Sequence, residues 1–232
     1  MEFEKRKAAT LASLASSDTD KSPKGTLDTP ILPLINTLNN HPCYFTTSSC
    51  SGRISILSQP IHQTQPNKKS KGGSWLFVSH DPADPDSLIS LLFPDSPTRS
   101  EPEPESELVL RFEPLIVAVE CKDLASAQSL VSTARSAGFR ESGITNANNK
   151  RVIVAIHCSI RLEVPLGTTE SVMVSPEFVR YLVRVANEKM EANRIRTQGF
   201  LRALQNADVA EPESESESEA RGDDDDEHSG KN

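Results

Sequence analysis

The sequence predicts a single α+β domain over residues 1–206, in which a mixed, largely antiparallel β-sheet is flanked by helices. Helical and strand-like hydrophobic periods interleave along this part of the chain without the regular βαβ order of a parallel sheet. No G-x-G-x-x-G loop follows a predicted strand, because the pair Gly72-Gly73 precedes one instead. A classical Rossmann fold is therefore not expected.

Three short amphipathic helices are predicted in the first hundred residues. The first rests on Phe3 and Leu14, and the third begins at the capping pair Asp84-Pro85. The second follows the i, i+3, i+4, i+7 rule through Ile31, Leu34, Ile35 and Leu38. Strands are predicted at 43–47, 53–57 and 74–79, and the last is expected to be buried because its residues are nearly all apolar.

The second half of the domain is predicted to contain five strands and two helices. Asp123 caps the first of these helices and Gly138 ends it. The longest helix starts at Ser175-Pro176-Glu177, with an inward face that we assign to Phe178, Leu182, Val185 and Ala186. The strands are predicted at 108–112, 115–121, 139–145, 151–159 and 161–164.

Three segments are expected to lack regular structure. Residues 207–232 hold eleven acidic and two basic residues in a Glu-Ser and Asp-rich run, which predicts a disordered acidic C-terminal tail. Flexible loops are predicted at about 59–73, which is Lys-rich, and at about 95–107, which alternates Glu, Pro and Ser. The formal net charge of −8 comes from such appendages, so the folded body is compatible with an anionic partner such as nucleic acid.

The four cysteines, Cys43, Cys50, Cys121 and Cys158, show no CxxC or Cys/His ligand spacing. They predict reduced thiols in an intracellular protein and no metal site. No window is long and apolar enough to span a membrane, and the first residues form no signal-peptide core. The chain is expected in the cytoplasm, with the nucleus as an open alternative.

The densest candidate for chemistry is the stretch 45–53, in which a Ser-rich loop is predicted between the strands at 43–47 and 53–57. Its small hydroxyl side chains leave backbone N–H groups open to a ligand, while Gly52 permits close approach and Arg53 adds a charged fork. A Ser-rich turn with a solvated Arg53 is the alternative. No P-loop, HExxH or GxSxG motif is present, and Ser49, Cys50 and His80 lack a recognisable orienting partner.

Seven short motifs follow one another along the chain. They are KGTLD (24–28), FTTSSCSGR (45–53), WL with SH (75–76, 79–80), FEP (112–114), GFRESGI (138–144), LEVPL (162–166) and ANEKM (186–190) with Asn193. Through this set the chain resembles the tRNA wybutosine-synthesizing protein 3 family over essentially all of residues 1–206. It departs at Ala118 and Ile160, where many members of that family carry histidine.

The resemblance implies an S-adenosylmethionine-dependent tRNA methyltransferase. Its substrate would be N4 of the tricyclic wybutosine precursor at the guanosine-derived position 37 of phenylalanine tRNA. The implied partners are the anticodon loop of that tRNA and, as further candidates, other enzymes of the same pathway. A non-catalytic tRNA-binding accessory domain is the alternative, which Ala118 and the lack of a recognisable cofactor loop favour. A purely structural interaction module is a third possibility.

With this family in view, we assign the cofactor to a floor formed by Ser49, Cys50, Ser51, Gly52 and Arg53. Arg53 would meet the cofactor carboxylate or an RNA phosphate, and Cys50 is read as a packed thiol.

His80 and Glu113 are the candidate catalytic residues. Their alternatives are a satisfied loop histidine and a loop cap. Trp75 and Glu163 complete the candidate substrate-binding set with Arg53. The apolar neighbours of Trp75 favour a core position, however, and Glu163 has a structural ion pair as its alternative.

Overall fold

In the computed structural model, the chain is described over residues 2–15, 28–61, 73–94, 105–148 and 150–209. The helices in these ranges are α1 (Glu2–Ala15), α2 (Leu32–Asn40), α3 (Pro85–Leu92), α4 (Leu124–Ser136) and α5 (Pro176–Val209), and a 3-10 turn, Thr29–Ile31, leads into α2. The strands are β1 (Tyr44–Cys50), β2 (Arg53–Pro60), β3 (Ser74–Ser79), β4 (Ser106–Glu113), β5 (Ile116–Cys121), β6 (Gly143–Ala147), β7 (Val152–Ile156) and β8 (Leu162–Thr168).

The strands form two four-stranded sheets. Sheet 1 has the order β1-β5-β7-β6, and sheet 2 has the order β3-β2-β4-β8. Every pair of neighbouring strands in these sheets is antiparallel. The predicted α+β class and the absence of a Rossmann fold are confirmed, and the strands divide between two sheets where the sequence suggested one.

Side-chain caps fix the starts of α3 and α4 where the sequence predicts them. The Asp84 carboxylate accepts a hydrogen bond from Ser87 N at 3.0 Å, and that of Asp123 accepts one from Ser126 N at 2.8 Å. Hydrogen bonds from these serines lower the pKa of both carboxyl groups. After α4, Gly138 has φ of +98°, a conformation that favours glycine.

Each sheet covers its own apolar core, and α5 contributes to both. Its first half buries Val179, Leu182 and Val183 against sheet 2, and its second half buries Phe200 and Leu204 in the core of sheet 1. The buried stripe of the first half thus runs through Val179, so the neighbouring Phe178 points away from the core and is 43% exposed. The inward assignment of Phe178 was wrong, that of Leu182 and Ala186 is confirmed, and Val185 is partly buried.

Three predicted strand features differ from the structure. Ser48–Cys50 extend β1 and pair with β5, so most of the expected Ser-rich loop is strand. The strand predicted at 139–145 begins only at Gly143, because Phe139 N bonds to Ala134 O and closes the end of α4. Because β3 is an edge strand of sheet 2, Trp75 is 40% exposed, and the expected core position is wrong.

The predicted unstructured segments lie mostly outside the described residues. At their borders, Gln59 and Pro60 pair with Glu107 and Ser106 across β2 and β4, so both loops are shorter than predicted. Helix α5 runs to Val209, so residues 207–209, the first three of the expected tail, are helical. None of the helices in the described ranges has a span long and apolar enough to cross a membrane.

Candidate functional site at the junction of the two sheets

The chain passes from one sheet to the other at two adjacent points. Ser51-Gly52 connects β1 to β2, and Pro114-Leu115 connects β4 to β5. Cys50 pairs with Ile116 on one side of these links, and Arg53 pairs with Glu113 on the other. The two links therefore lie side by side, and we call these four connecting residues the junction.

Asn193 of α5 ties the two links together. Its side-chain amide donates to Ser51 O at 2.8 Å and accepts from Leu115 N at 2.9 Å, and the residue is 1% exposed. Gly52 has φ of +105°, and a Cβ there would lie 3.0 Å from Glu113 O and 3.1 Å from Asn193 Nδ2. Glycine is required at this position by both the backbone conformation and the close packing.

A cluster of polar side chains meets the junction from two other segments. Asp28 Oδ2 accepts hydrogen bonds from the N–H and the hydroxyl of Ser51, each at 2.9 Å. The same oxygen lies 3.2 Å from His80 Nδ1, which is also 3.1 Å from Gly52 O. The Asp28 side chain is 8% exposed and that of His80 is 17% exposed, so the imidazole is the more accessible group.

Cys50 lies beside this cluster. Its sulfur and the ligand atoms of Asp28 and His80 all lie within 4.8 Å of one another. Burial raises the pKa of the Cys50 thiol, so the sulfur stays protonated near neutral pH, which agrees with the packed thiol predicted from the sequence.

A second group adjoins the junction on sheet 2. Arg53 Nε lies 2.7 Å from a carboxylate oxygen of Glu113, and the Arg53 guanidinium stacks 4.6 Å from the centre of the Trp75 ring. Arg53 and Glu113 are directly opposed on β2 and β4, with partly exposed side chains. A charged pair next to an exposed indole is suited to a ligand that has both a charge and an aromatic ring.

The structure thus brings together six of the candidate residues, namely Cys50, Ser51, Gly52, Arg53, His80 and Glu113, with Trp75 against Arg53. Ser49 pairs with Val117 and precedes Cys50 in β1, so their side chains point to opposite faces of sheet 1. Glu163 is on β8, two strands from β2, where it pairs with Arg111 at 2.9 Å. The structure therefore supports the alternative for Glu163, a structural ion pair, with Arg111 as the partner.

Sequence reasoning assigned no role to Asp28 or Asn193. Their contacts with Ser51 span 23 and 142 residues of sequence, so no local pattern reports them. The available signal was their place in the motifs at 24–28 and 186–193, which carry the resemblance.

A surface groove of about 400 Å³ lies elsewhere, between α4 and β6. It is lined by Gln128, Val131, Ser132, Arg135 and Ile144. None of these residues belongs to the junction or to the candidate set, so the junction remains the site with convergent chemistry.

Comparison with known proteins adds to this geometry. A family model described as "Methyltransferase TYW3" matches residues 5–206. The tRNA wybutosine-synthesizing protein 2/3/4 of Arabidopsis thaliana is 64% identical over 92% of the chain. The chain spans only 22% of that relative's length and 20% of the rice protein of the same name.

Shorter relatives match over most of their own length. The tRNA wybutosine-synthesizing protein 3 of Schizosaccharomyces pombe is 42% identical over 71% of the chain and 68% of that protein. A solved structure of a Pyrococcus horikoshii protein superposes with a TM-score of 0.73 at 29% identity, covering 88% of this chain and 96% of that one. A hypothetical protein of Aeropyrum pernix shares the fold, with a TM-score of 0.61 at 22% identity over 77% of this chain and 98% of that one.

Proposed function

The chain belongs to the Methyltransferase TYW3 family, and on this premise we propose that it is a tRNA methyltransferase of wybutosine synthesis. The reaction is transfer of the methyl group of S-adenosylmethionine to N4 of the tricyclic wybutosine precursor at position 37 of phenylalanine tRNA. Residues 1–206 act as one catalytic domain, with the acidic segment that follows as an appendage. The protein works in the cytoplasm, beside other enzymes of the pathway.

The observation that carries this proposal is the convergence of His80, Asp28 and Ser51 at the junction, next to the Arg53–Glu113 pair. Methyl transfer from a sulfonium requires alignment of the nucleophile and removal of one proton from it. His80 is the accessible titratable group of the cluster, which fits the role of general base. Glu113 holds Arg53 in place and is a second candidate for proton transfer.

The residues around the junction fit S-adenosylmethionine by their donor and acceptor types. The Arg53 guanidinium suits the cofactor carboxylate, and Glu113 suits a ribose hydroxyl or the ammonium group. The cofactor, when bound, supplies the electrophilic methyl group. Residues 49–53 are the proposed floor, with Ser51 and Gly52 at its centre and Ser49 at its edge.

Trp75 is the proposed stacking surface for the tricyclic base or a neighbouring nucleobase. It is exposed on an edge strand and already stacks with a cation, and RNA-binding proteins commonly recognise unpaired bases by stacking them on aromatic rings. Arg53 would then contact both the cofactor side and the substrate side. Glu163 remains a substrate-binding candidate on β8, at the far edge of the sheet, where it would have to exchange its ion pair with Arg111 for a contact with the substrate.

The test is a methylation assay with labelled S-adenosylmethionine and phenylalanine tRNA that carries the unmethylated tricyclic precursor. We expect mass analysis of the nucleoside at position 37 to show a gain of one methyl group. No gain, with the tRNA still bound, would support the second candidate function, a non-catalytic tRNA-binding accessory domain. Ala118 favours that candidate. It pairs with Ser48, which lies two residues before Cys50 on β1, so a histidine at 118 would be near the site, and alanine supplies no imidazole there.

Trp75→Ala tests the substrate side of the site. Loss of a stacking surface is worth about 1–3 kcal/mol per base, so we expect KM for the tRNA to rise by about tenfold or more while KM for the cofactor changes little. Phe178→Ala is the matched control, since Phe178 is an aromatic residue of similar exposure on α5. Equal effects of the two substitutions would remove Trp75 from the substrate site.

A further inference from the structure

The imidazole of His80 is held on one edge by two hydrogen-bond acceptors. Nδ1 lies 3.1 Å from the carbonyl oxygen of Gly52 and 3.2 Å from Oδ2 of Asp28. A carbonyl oxygen only accepts, and Oδ2 of Asp28 also accepts here, from the backbone N–H and the hydroxyl of Ser51. The hydrogen between these atoms must therefore be on Nδ1. In the neutral ring this leaves the basic lone pair on Nε2.

Asp28 is itself fixed in position. The N–H and hydroxyl of Ser51 both donate to Oδ2 at 2.9 Å, so the carboxylate cannot turn away from the ring without breaking two hydrogen bonds in a buried site. Ser51 in turn is held by Asn193 through its carbonyl oxygen. The hydrogen-bonded chain thus runs from the fully buried Asn193 through Ser51 and Asp28, which are both buried, to the more exposed imidazole.

We propose that Asp28 is a positioning residue for His80, which fixes the tautomer and the orientation that present Nε2 as the base for the methyl-accepting nitrogen. This inference rests on the proposed function. In the reaction, the nitrogen forms a bond to the methyl carbon as the carbon–sulfur bond breaks. The proton of the nitrogen passes to Nε2, and the Asp28 carboxylate stabilises the imidazolium that results.

A metal site is the rival for these atoms, because Asp28, Cys50 and His80 are all ligand types and lie within 4.8 Å of one another. Metal binding at Oδ2 would have to compete with the two hydrogen bonds from Ser51, and binding at Nδ1 of His80 would displace the proton there. The hydrogen-bonded state satisfies Asp28, Ser51 and Nδ1 of His80 together. The observations therefore favour an orienting carboxylate.

The experiment compares Asp28→Asn and Asp28→Ala with His80→Gln in the full chain. Asparagine keeps an oxygen that can accept from Ser51 but removes the charge that stabilises the imidazolium. General-base catalysis contributes about 10²–10⁴-fold, so we expect kcat to fall by that factor in His80→Gln. The fall should be about tenfold in Asp28→Asn and about 10²-fold or more in Asp28→Ala, without exceeding the loss in His80→Gln. KM for the cofactor and for the tRNA should stay within about twofold.

A double-substitution cycle separates positioning from a general structural role. If Asp28 acts through His80, Asp28→Asn should cost nothing further in the His80→Gln background. An undiminished cost there, or a wild-type kcat in Asp28→Asn, overturns the inference. Asp81→Asn is the control, because Asp81 follows His80 directly but is 76% exposed and pairs with Arg194. It should retain full activity.

A second readout does not depend on turnover. Nitrogen-15 NMR of labelled histidine, with the His80 signal assigned through His80→Gln, should show the Nδ1–H tautomer in the wild type and a mixture in Asp28→Ala. An unchanged tautomer in Asp28→Ala would overturn the inference, whether or not the wild type is active. An inactive wild type would count against the proposed function alone. Stoichiometric zinc in the purified protein, lost in Asp28→Ala, would also overturn it in favour of the metal site.

Discussion

Glu120 of sheet 1 and Asp28 at the junction are both buried carboxylates, and they have different partners. Glu120 is fully buried, with one oxygen 2.7 Å from Arg6 Nε and the other 2.6 Å from Arg151 Nη2. Arg6 also donates to Lys150 O, so the carboxylate joins α1 to sheet 1. Asp28 instead accepts from Ser51 and faces the imidazole of His80.

The difference lies in whether the partner can change its charge. A guanidinium stays protonated at every pH at which proteins fold, and the contact with Glu120 raises the pKa of Arg6 further. The two arginines therefore keep their charge, and the Glu120 cluster serves as a structural tie. An imidazole can gain and lose a proton near neutral pH, so a carboxylate beside it can support proton transfer. Burial of a carboxylate does not by itself indicate function, whereas the chemistry of its partner does.

The largest expected effect separates the two carboxylates directly. Glu120→Ala removes the shared partner of two arginines and leaves a void beneath α1, so we expect the free energy of unfolding to fall by about 3–5 kcal/mol. Turnover per folded molecule should stay close to wild type. Urea unfolding and the methylation assay measure the two quantities.

Arg151→Ala gives the graded control for this experiment. The substitution leaves Glu120 paired with Arg6, so the loss of stability should be smaller than in Glu120→Ala. The comparison fails if Glu120→Ala abolishes turnover while the protein remains folded, because Glu120 would then serve the site as Asp28 does.

An intermediate effect is expected at Asn193, which links the structural and the chemical parts of the molecule. Asn193→Ala leaves the buried Ser51 O and Leu115 N without partners, at about 1–3 kcal/mol for each group. We expect the unfolding free energy to fall by about 2–4 kcal/mol and kcat to fall as well, because Ser51 no longer holds Asp28 in place.

Asn187→Ala is the matched control on the same helix. Its side chain makes the same kind of paired hydrogen bonds, to the N–H and carbonyl of Ala83, each at 2.9 Å. Stability should fall there too, while kcat should stay near wild type. A normal kcat in Asn193→Ala would show that the junction tolerates the loss of this tie.

These residues show which parts of the molecule the sequence could predict. The helix starts at Asp84 and Asp123 follow from local rules, because each cap and the N–H that it binds are three residues apart. Trp75 was misplaced because an apolar run does not reveal whether its strand lies in the centre or at the edge of a sheet. The contacts of Asp28 and Asn193 join segments far apart in sequence, and only the fold brings them to Ser51.

The smallest expected effect concerns Cys50, which reports on the charge at Asp28. Burial is the main cause that raises the pKa of this thiol, and the nearby Asp28 carboxylate contributes in the same direction. The thiolate is the species that is alkylated, so we expect alkylation of Cys50 to need a higher pH than that of an unfolded thiol, which titrates at about 8.5. Because the folded-state pKa is raised, the contribution of Cys50 to stability is complete below the unfolded value and is lost as pH rises towards the folded one.

Asp28→Asn should move the alkylation profile to lower pH, which peptide mass spectrometry across pH 7–11 would detect as a few-fold faster reaction. Cys121, whose pKa burial raises to about 12, should react little over this range in both proteins and serves as the internal control. If Asp28→Asn left the Cys50 profile unchanged, the carboxylate would exert no field on its neighbours, and its supposed effect on His80 would lose its electrostatic basis.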